Sequence, residues 1–234
     1  HNMKNYSLIG GSYGIGNQII DIVSPDANIL VASRTTEGLS GKNVKHIPFN
    51  VLEDSLAIDQ LPEQIDGFVY CPGSINLRPF KGLKPEAFVS DFEINVMGAV
   101  RTLQQIQPLL VASQQASVVL FSTVAVQTGM PFHASVAASK GAIEGLGRSL
   151  AAEWAPKVRV NVIAPSITDT PLANRFLNND AKMEKAALRH PLKRIGTTED
   201  VAQLAAFLLS EKSSWMTGQV LGLDGGMSSL NVNG

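Results

Sequence analysis

Four glycines, Gly10, Gly11, Gly14 and Gly16, fall inside the run Ile9-Gly10-Gly11-Ser12-Tyr13-Gly14-Ile15-Gly16. Residues of this kind at this spacing suit the cradling of a phosphate. Glycine lets the backbone turn tightly and come within contact distance of a diphosphate, and a helix starting there points its positive end at the charge. The run follows a short apolar strand pattern and leads straight into an apolar helix pattern, the context in which such a loop reads as a dinucleotide site rather than a plain tight turn. Gly10, Ser12, Tyr13, Gly14, Ile15 and Gly16 are therefore expected to line a nucleotide cofactor.

The next strand pattern ends Val31-Ala32-Ser33-Arg34-Thr35, with no carboxylate before Glu37. NAD-selective sites place an acid about 20 residues past the glycines, where it accepts hydrogen bonds from ribose hydroxyls. An acid would repel a 2′-phosphate, whereas a guanidinium clasps one with two charge-assisted hydrogen bonds. The expectation is NADP(H) in preference to NAD(H), with Ser33, Arg34 and Thr35 around the phosphate.

Elements of alternating type must hold these residues. Continuous apolar runs of strand length occur at Tyr6–Ile9, Asn28–Ala32, Val44–Phe49, Gly67–Cys71, Ser117–Phe121, Arg159–Ile163 and Val220–Leu223. Between them lie helical patterns at Gly16–Val23, Pro85–Leu110, Ser135–Trp154, Asp180–Leu188 and Glu199–Leu209, the last with Thr198 as its expected N-cap. Two-sided apolar strands separated by helices predict a parallel sheet covered on both faces. No repeat or linker interrupts the pattern, so residues 3–234 read as a single domain, and His1-Asn2 ahead of Met3 reads as the remnant of an expression tag. The polar stretch from Asn174 to Arg194 suits a flap over a site.

The 234 residues carry a net charge of −1 and are 44% hydrophobic, the profile of an ordinary globule with no bulk attraction to nucleic acid or membrane surfaces. No apolar run approaches the roughly 20 residues that cross a bilayer. A single cysteine, Cys71, excludes an internal disulfide, and with no secretory signal pattern a reducing cytoplasm is the expected location. No metal site is expected.

Several further segments resemble the short-chain dehydrogenase/reductase family. They are Asp66-Gly67-Phe68-Val69-Tyr70-Cys71-Pro72-Gly73, Asn95 inside a helix, Ser139-Lys140-Gly141-Ala142, Arg159-Val160-Asn161-Val162-Ile163-Ala164-Pro165, and Thr217-Gly218-Gln219-Val220 with Asp224-Gly225-Gly226. With the glycine loop, they span essentially the whole chain in the family's order. The resemblance implies a single doubly wound Rossmann domain with a seven-stranded parallel sheet, assembled as a homotetramer or homodimer. It adds Asn50, Val51, Cys71, Pro72, Gly73, Lys140, Pro165, Ile167 and Thr170 to the cofactor-binding set.

The family's chemistry is hydride transfer between nicotinamide and a carbonyl or alcohol, assisted by a tyrosine four residues before a lysine. Carried onto this chain, the lysine is Lys140 and the asparagine of the proton relay is Asn95. The hydroxyl that polarises the substrate oxygen is Thr123, with Ser122 as the alternative one residue away. The tyrosine position is Val136, which has no proton to give. Tyr70, Pro72 and Ser166 also depart from the family pattern. His133, seven residues before Lys140, shares the lysine's face if the helix extends back that far, and an imidazole serves as a general acid near neutrality. Ser135 is a weaker candidate.

Two functions follow from these residues. One is an NADP(H)-dependent oxidoreductase acting on a small carbonyl, alcohol or conjugated alkene through a donor other than tyrosine. The other is an NADP(H)-binding sensor or partner subunit without turnover. Phe80, Met130, Phe132, Phe176 and Leu177 around the expected pocket predict a mainly apolar small-molecule substrate.

Overall fold

The computed structural model describes residues 3–232. Seven parallel strands form one sheet: β1 (Lys4–Ile9), β2 (Ala27–Ser33), β3 (Val44–Pro48), β4 (Gly67–Tyr70), β5 (Ala116–Phe121), β6 (Val158–Pro165) and β7 (Val220–Leu223). Their spatial order is β3-β2-β1-β4-β5-β6-β7. The order reverses between β1 and β4, and the crevice beyond the carboxyl ends of strands at such a point is where doubly wound sheets take their ligands. The glycine loop follows β1 there, and Cys71-Pro72-Gly73 follows β4.

Helices cover both faces. α1 (Gly14–Val23) and α6 (Thr198–Leu209) lie on one, over a core that includes Leu8, Ile19, Val31, Val119 and Leu208. α2 (Pro85–Phe92), α3 (Gly98–Ser113) and α4 (Ala134–Trp154) lie on the other, over Phe68, Leu103, Ile106, Leu120 and Val160. α5 (Asp180–Leu188) is the short helix of the segment read from the sequence as a flap. Burial on both sides explains why the central strands β4 and β5 read as apolar runs, whereas the edge strand β3 carries Lys45 and His46 and is mostly exposed or half-buried.

Three sequence expectations change. The N-cap of α6 is Thr197, not Thr198. Its hydroxyl accepts from Asp200 N (3.1 Å) while the Asp200 carboxylate accepts from Thr197 N (2.8 Å), a reciprocal capping box that leaves Thr198 as the first helical residue. The single helix expected over Pro85–Leu110 is α2 and α3 joined by a π-helical turn at Glu93–Met97. The helix expected from Ser135 starts at Ala134, and His133 is its N-cap residue, at φ −98° and ψ 11°.

The π turn follows from its side chains. An i→i+5 turn widens the helix and disturbs the carbonyl ladder. Asn95 Nδ2 donates to the Asp91 carbonyl (2.8 Å), and Tyr70 Oη donates to the Ile94 carbonyl (2.6 Å). Gly98 completes the fit, because a Cβ there would overlap Tyr70 Oη. Tyr70 thus bonds the turn that carries Asn95. Its phenol is buried and its pKa is raised, chiefly by desolvation.

Candidate active site

The crevice at the switch point encloses a cavity of ≈ 190 Å³. Its floor is the glycine loop, with Gly10, Ser12, Tyr13, Gly14, Ile15 and Gly16 all on its lining. Ser33, Arg34 and Thr35 form the wall at the end of β2, with Asn50 and Val51 beside them. Cys71, Pro72 and Gly73 close the β4 side, and Thr170 stands opposite. Pro165 and Ile167 do not line this cavity. Pro165 ends β6, and Ile167 lines a separate hollow of ≈ 90 Å³.

Local chemistry fixes the loop. A Cβ at Gly16 would lie 2.7 Å from Gly11 Cα and 3.0 Å from Cys71 Sγ, so only glycine lets the two chain segments meet. Gly14 sits at φ +64°, a conformation that side chains rarely adopt, and a Cβ there would lie 3.8 Å from Pro171 Cδ. The N-cap Tyr13 makes no side-chain bond to the first turn of α1, which leaves those N–H groups available to an anion. Ser12 Oγ and Thr35 Oγ1 are 2.7 Å apart, and Asn17 Nδ2 donates to the Gly11 and Gly38 carbonyls (3.1 and 2.8 Å). Ser33 Oγ donates to the Thr35 carbonyl (2.7 Å) and lies 3.0 Å from His46 Nε2. Arg34 is exposed and has no ion-pair partner among the described residues. A cradle that excludes Cβ atoms, with free amides at a helix start, fits a dinucleotide diphosphate.

The expected reaction centre lies at the Gly73 end. Lys140 Nζ donates to the Phe121 carbonyl at 3.0 Å. A Cβ placed on Gly73 would be 3.0 Å from Asn95 Oδ1 and 3.7 Å from Lys140 Nζ, so both atoms look into the same small space. Desolvation pulls the Lys140 pKa down to about 8, against smaller opposing effects of Cys71 and Asp91. Burial pushes the Cys71 thiol up to about 12, so it is not a thiolate near neutrality. Val136, one turn before the lysine, is only 4% exposed.

The hydroxyls sort themselves by their partners. Ser122 is buried and donates to Glu144 Oε1 at 2.7 Å. Thr123 keeps its hydroxyl close to the Ala125 amide (3.3 Å), and the residue is only partly buried. His133 is also partly buried, with Nδ1 2.8 Å from the Pro131 carbonyl. The three tyrosines are elsewhere: Tyr13 is exposed in the loop, Tyr70 is bound to the π turn, and Tyr6 Oη donates to the Leu209 carbonyl (3.4 Å).

Sequence reasoning missed one group altogether. Asp91 on α2 is fully buried, and its carboxylate accepts from Ser74 Oγ (2.5 Å), Asn76 Nδ2 (2.9 Å) and Ser135 Oγ (2.6 Å). Asn95 bonds the same loop, with Nδ2 donating to the Ser74 carbonyl and Oδ1 accepting from Ser74 N, both at 3.3 Å. Asp91 therefore ties the loop after β4 to α2 and to the first turn of α4, the helix that carries Lys140. Ser135, weighed as a proton donor, is committed to this carboxylate. A signal was present: Asp91 stands four residues before Asn95 on the face that Val96, Ala99 and Leu103 bury. A carboxylate there needs partners. Ser166 likewise has a partner in buried His190 (Oγ to Nε2, 2.8 Å).

Comparison with known proteins shows the family to which the chain is related. The family profile described as enoyl-(acyl carrier protein) reductase matches residues 55–228. The 3-oxoacyl-[acyl-carrier-protein] reductase FabG of Thermotoga maritima is 31% identical over 94% of this chain and 96% of its own length. Among solved structures, aldohexose dehydrogenase of Thermoplasma acidophilum superposes with a TM-score of 0.91 at 25% identity, covering 99% of this chain and 96% of that one. ElxO with NADP bound superposes with a TM-score of 0.88 at 25% identity, covering 97% and 100%. The chain belongs to the short-chain dehydrogenase/reductase family of oxidoreductases. Members of this family bind NAD(P), and among the described residues no helix is long and apolar enough to cross a membrane.

Proposed function

We propose that the protein is an NADP(H)-dependent oxidoreductase that acts on a small carbonyl, alcohol or conjugated alkene and draws its proton from a group other than tyrosine. One observation carries this reading: Lys140 Nζ and Asn95 Oδ1, which do not themselves line the cleft, both approach Gly73, which lines the same cleft as the glycine loop. The dinucleotide held there supplies or accepts a hydride. The protein's own residues do the rest. Helix α1 and the loop amides would hold the diphosphate, Ser33, Arg34 and Thr35 a 2′-phosphate, and Thr170, on the lining of the cavity, the carboxamide or diphosphate. Thr123 polarises the substrate oxygen, and Lys140 holds ribose hydroxyls.

With Val136 where the family resemblance expects tyrosine, the groups along that face able to carry a proton are His133 before it and Lys140 after it. Exposed Phe80 and Phe132 and partly buried Met130 support a mainly apolar substrate. Phe80, Val89 and Phe92 leave an apolar strip at α2 that suits association of copies into a dimer or tetramer. The absence of a phenol at position 136 also favours a second reading, a cofactor-binding subunit without turnover.

Calorimetry with both coenzymes tests the cofactor assignment. NADPH is expected to bind more tightly than NADH. Arg34→Ala is expected to weaken NADPH by about tenfold or more, as loss of charge-assisted bonds worth about 1.5–3 kcal/mol would at an exposed site, and to leave NADH nearly unchanged. Equal or tighter NADH binding would refute it.

A further inference from the structure

We propose that Lys140 itself exchanges the proton with substrate: its ammonium, facing the space over Gly73 beside Asn95 and supported by the buried Asp91 carboxylate, protonates the oxygen of an aldehyde, ketone or enone as hydride arrives from the nicotinamide coenzyme. The proposal rests on the reductase reading above and names the donor that reading leaves open.

The geometry carries it. Among the described residues, Nζ has one acceptor within hydrogen-bond distance, the Phe121 carbonyl. An ammonium has three donors, so two remain for the cleft. One is suited to ribose and the other to a substrate oxygen over Gly73. The alternative, His133, is the cap residue of α4, and one ring nitrogen is close to the Pro131 carbonyl.

In the reductive direction the carbonyl carbon gains a hydride with its two electrons. The C=O π pair moves to oxygen, one Lys140 N–H bond breaks, and an O–H bond forms. For an enone the hydride adds to the β carbon, and the same proton neutralises the enolate oxygen. Lys140 is left as a neutral amine and recovers its proton from water before the next cycle. In the oxidative direction the amine accepts the alcohol proton as hydride leaves the carbon.

The surroundings suit a lysine that works in both forms. Desolvation places its pKa at about 8, so both forms are populated near neutral pH. The ionisable groups that act on it are Cys71 at the end of β4, protonated at neutral pH, and Asp91 on α2. On its own helix, Glu144 is engaged by Ser122 and Arg148, and His133 caps the start of the helix, seven residues before Lys140. Asp91 favours the charged lysine and so acts on the proton through Lys140, as a positioning residue.

The test follows the titration with and without turnover. In protein carrying ¹³Cε-labelled lysine, one resonance, identified by its loss in Lys140→Arg, is expected to titrate near pH 8. In Asp91→Asn it should titrate lower, because the anion that favours the ammonium is gone. With NADPH and a ketone, kcat/KM is expected to fall as pH rises through about 8, and the break should move down in Asp91→Asn. Arginine keeps a charge and its donors but cannot release a proton near neutrality. Lys140→Arg is therefore expected to bind NADPH within a few-fold of the unaltered protein yet to lose about 10²-fold or more in kcat, along with the break.

A Lys140 resonance that titrates above pH 10 would overturn the proposal, as would an Arg variant with full kcat. A break near the ordinary histidine value of about 6.5 that disappears in His133→Ala would also overturn it, and would assign the proton to His133. In each of those cases the reductase reading survives. NADPH that binds but is never oxidised would bring down both.

Discussion

Val136→Tyr is expected to raise the rate of NADPH-dependent reduction, and the size of the gain separates the two functional readings. Position 136 is one turn before Lys140 on the same helix, so a phenol there would reach toward the space that Lys140 Nζ and Asn95 Oδ1 face. A positioned general acid contributes about 10²–10⁴ in rate. If no acid serves the unaltered centre, the variant should gain that full factor from a baseline close to zero. If Lys140 already supplies the proton, the phenol improves only its placement, and the gain is expected to stay near tenfold. Val136 is almost fully buried, so the larger ring should also cost about 1–3 kcal/mol of stability by overpacking. Stopped-flow NADPH oxidation, with denaturation curves on the same samples, reads both effects. An unchanged rate in a folded variant that binds NADPH would show that a phenol at position 136 does not restore proton transfer.

The second large effect falls on stability. Asp91 is completely enclosed and accepts from Ser74, Asn76 and Ser135. Asp91→Ala strands those donors in a space that water does not fill freely, at a cost of about 1–3 kcal/mol for each one left unpaired. Two neighbouring hydroxyls rotate toward other acceptors more easily than the Asn76 amide does, so the total is expected at about 3 kcal/mol rather than the full sum. Asp91→Asn keeps shape and one acceptor oxygen and should cost less. The alanine variant also frees the loop after β4 from α4, so its KM for substrate should rise even where enough folded protein remains to assay. Urea unfolding measures the first effect. An alanine variant with an unchanged midpoint would show that this carboxylate does not hold the site together.

Much of this was legible in the residues. The central strands, buried on both faces, read as apolar runs, and all seven strands have their observed ends within two residues of those expected, although β3 and β7 are only partly buried. The glycine loop was legible because its requirement is steric: Gly16 has backbone and Cys71 where a Cβ would be, and no other residue fits. What stayed hidden depends on contacts between distant segments. The π turn exists because Tyr70, 24 residues earlier, bonds the Ile94 carbonyl, and no local helical pattern reports that. The Asp91 cluster joins residues 74, 76, 91 and 135, which only the folded loop brings together. The cap of α6 is different, because the signal was there. Thr197 stands three residues before Asp200, the spacing of a reciprocal cap, whereas Thr198 stands two before it.

The central claim is that this cleft moves hydride from a phosphorylated nicotinamide coenzyme without a phenol at position 136. The direct measurement is the 340 nm absorbance of NADPH with the unaltered protein and a panel of ketones and enones. The account predicts protein-dependent oxidation with at least one of them, faster with NADPH than with NADH. Saturable NADPH binding with no oxidation across the panel would contradict it and leave the cofactor-binding subunit as the reading that stands.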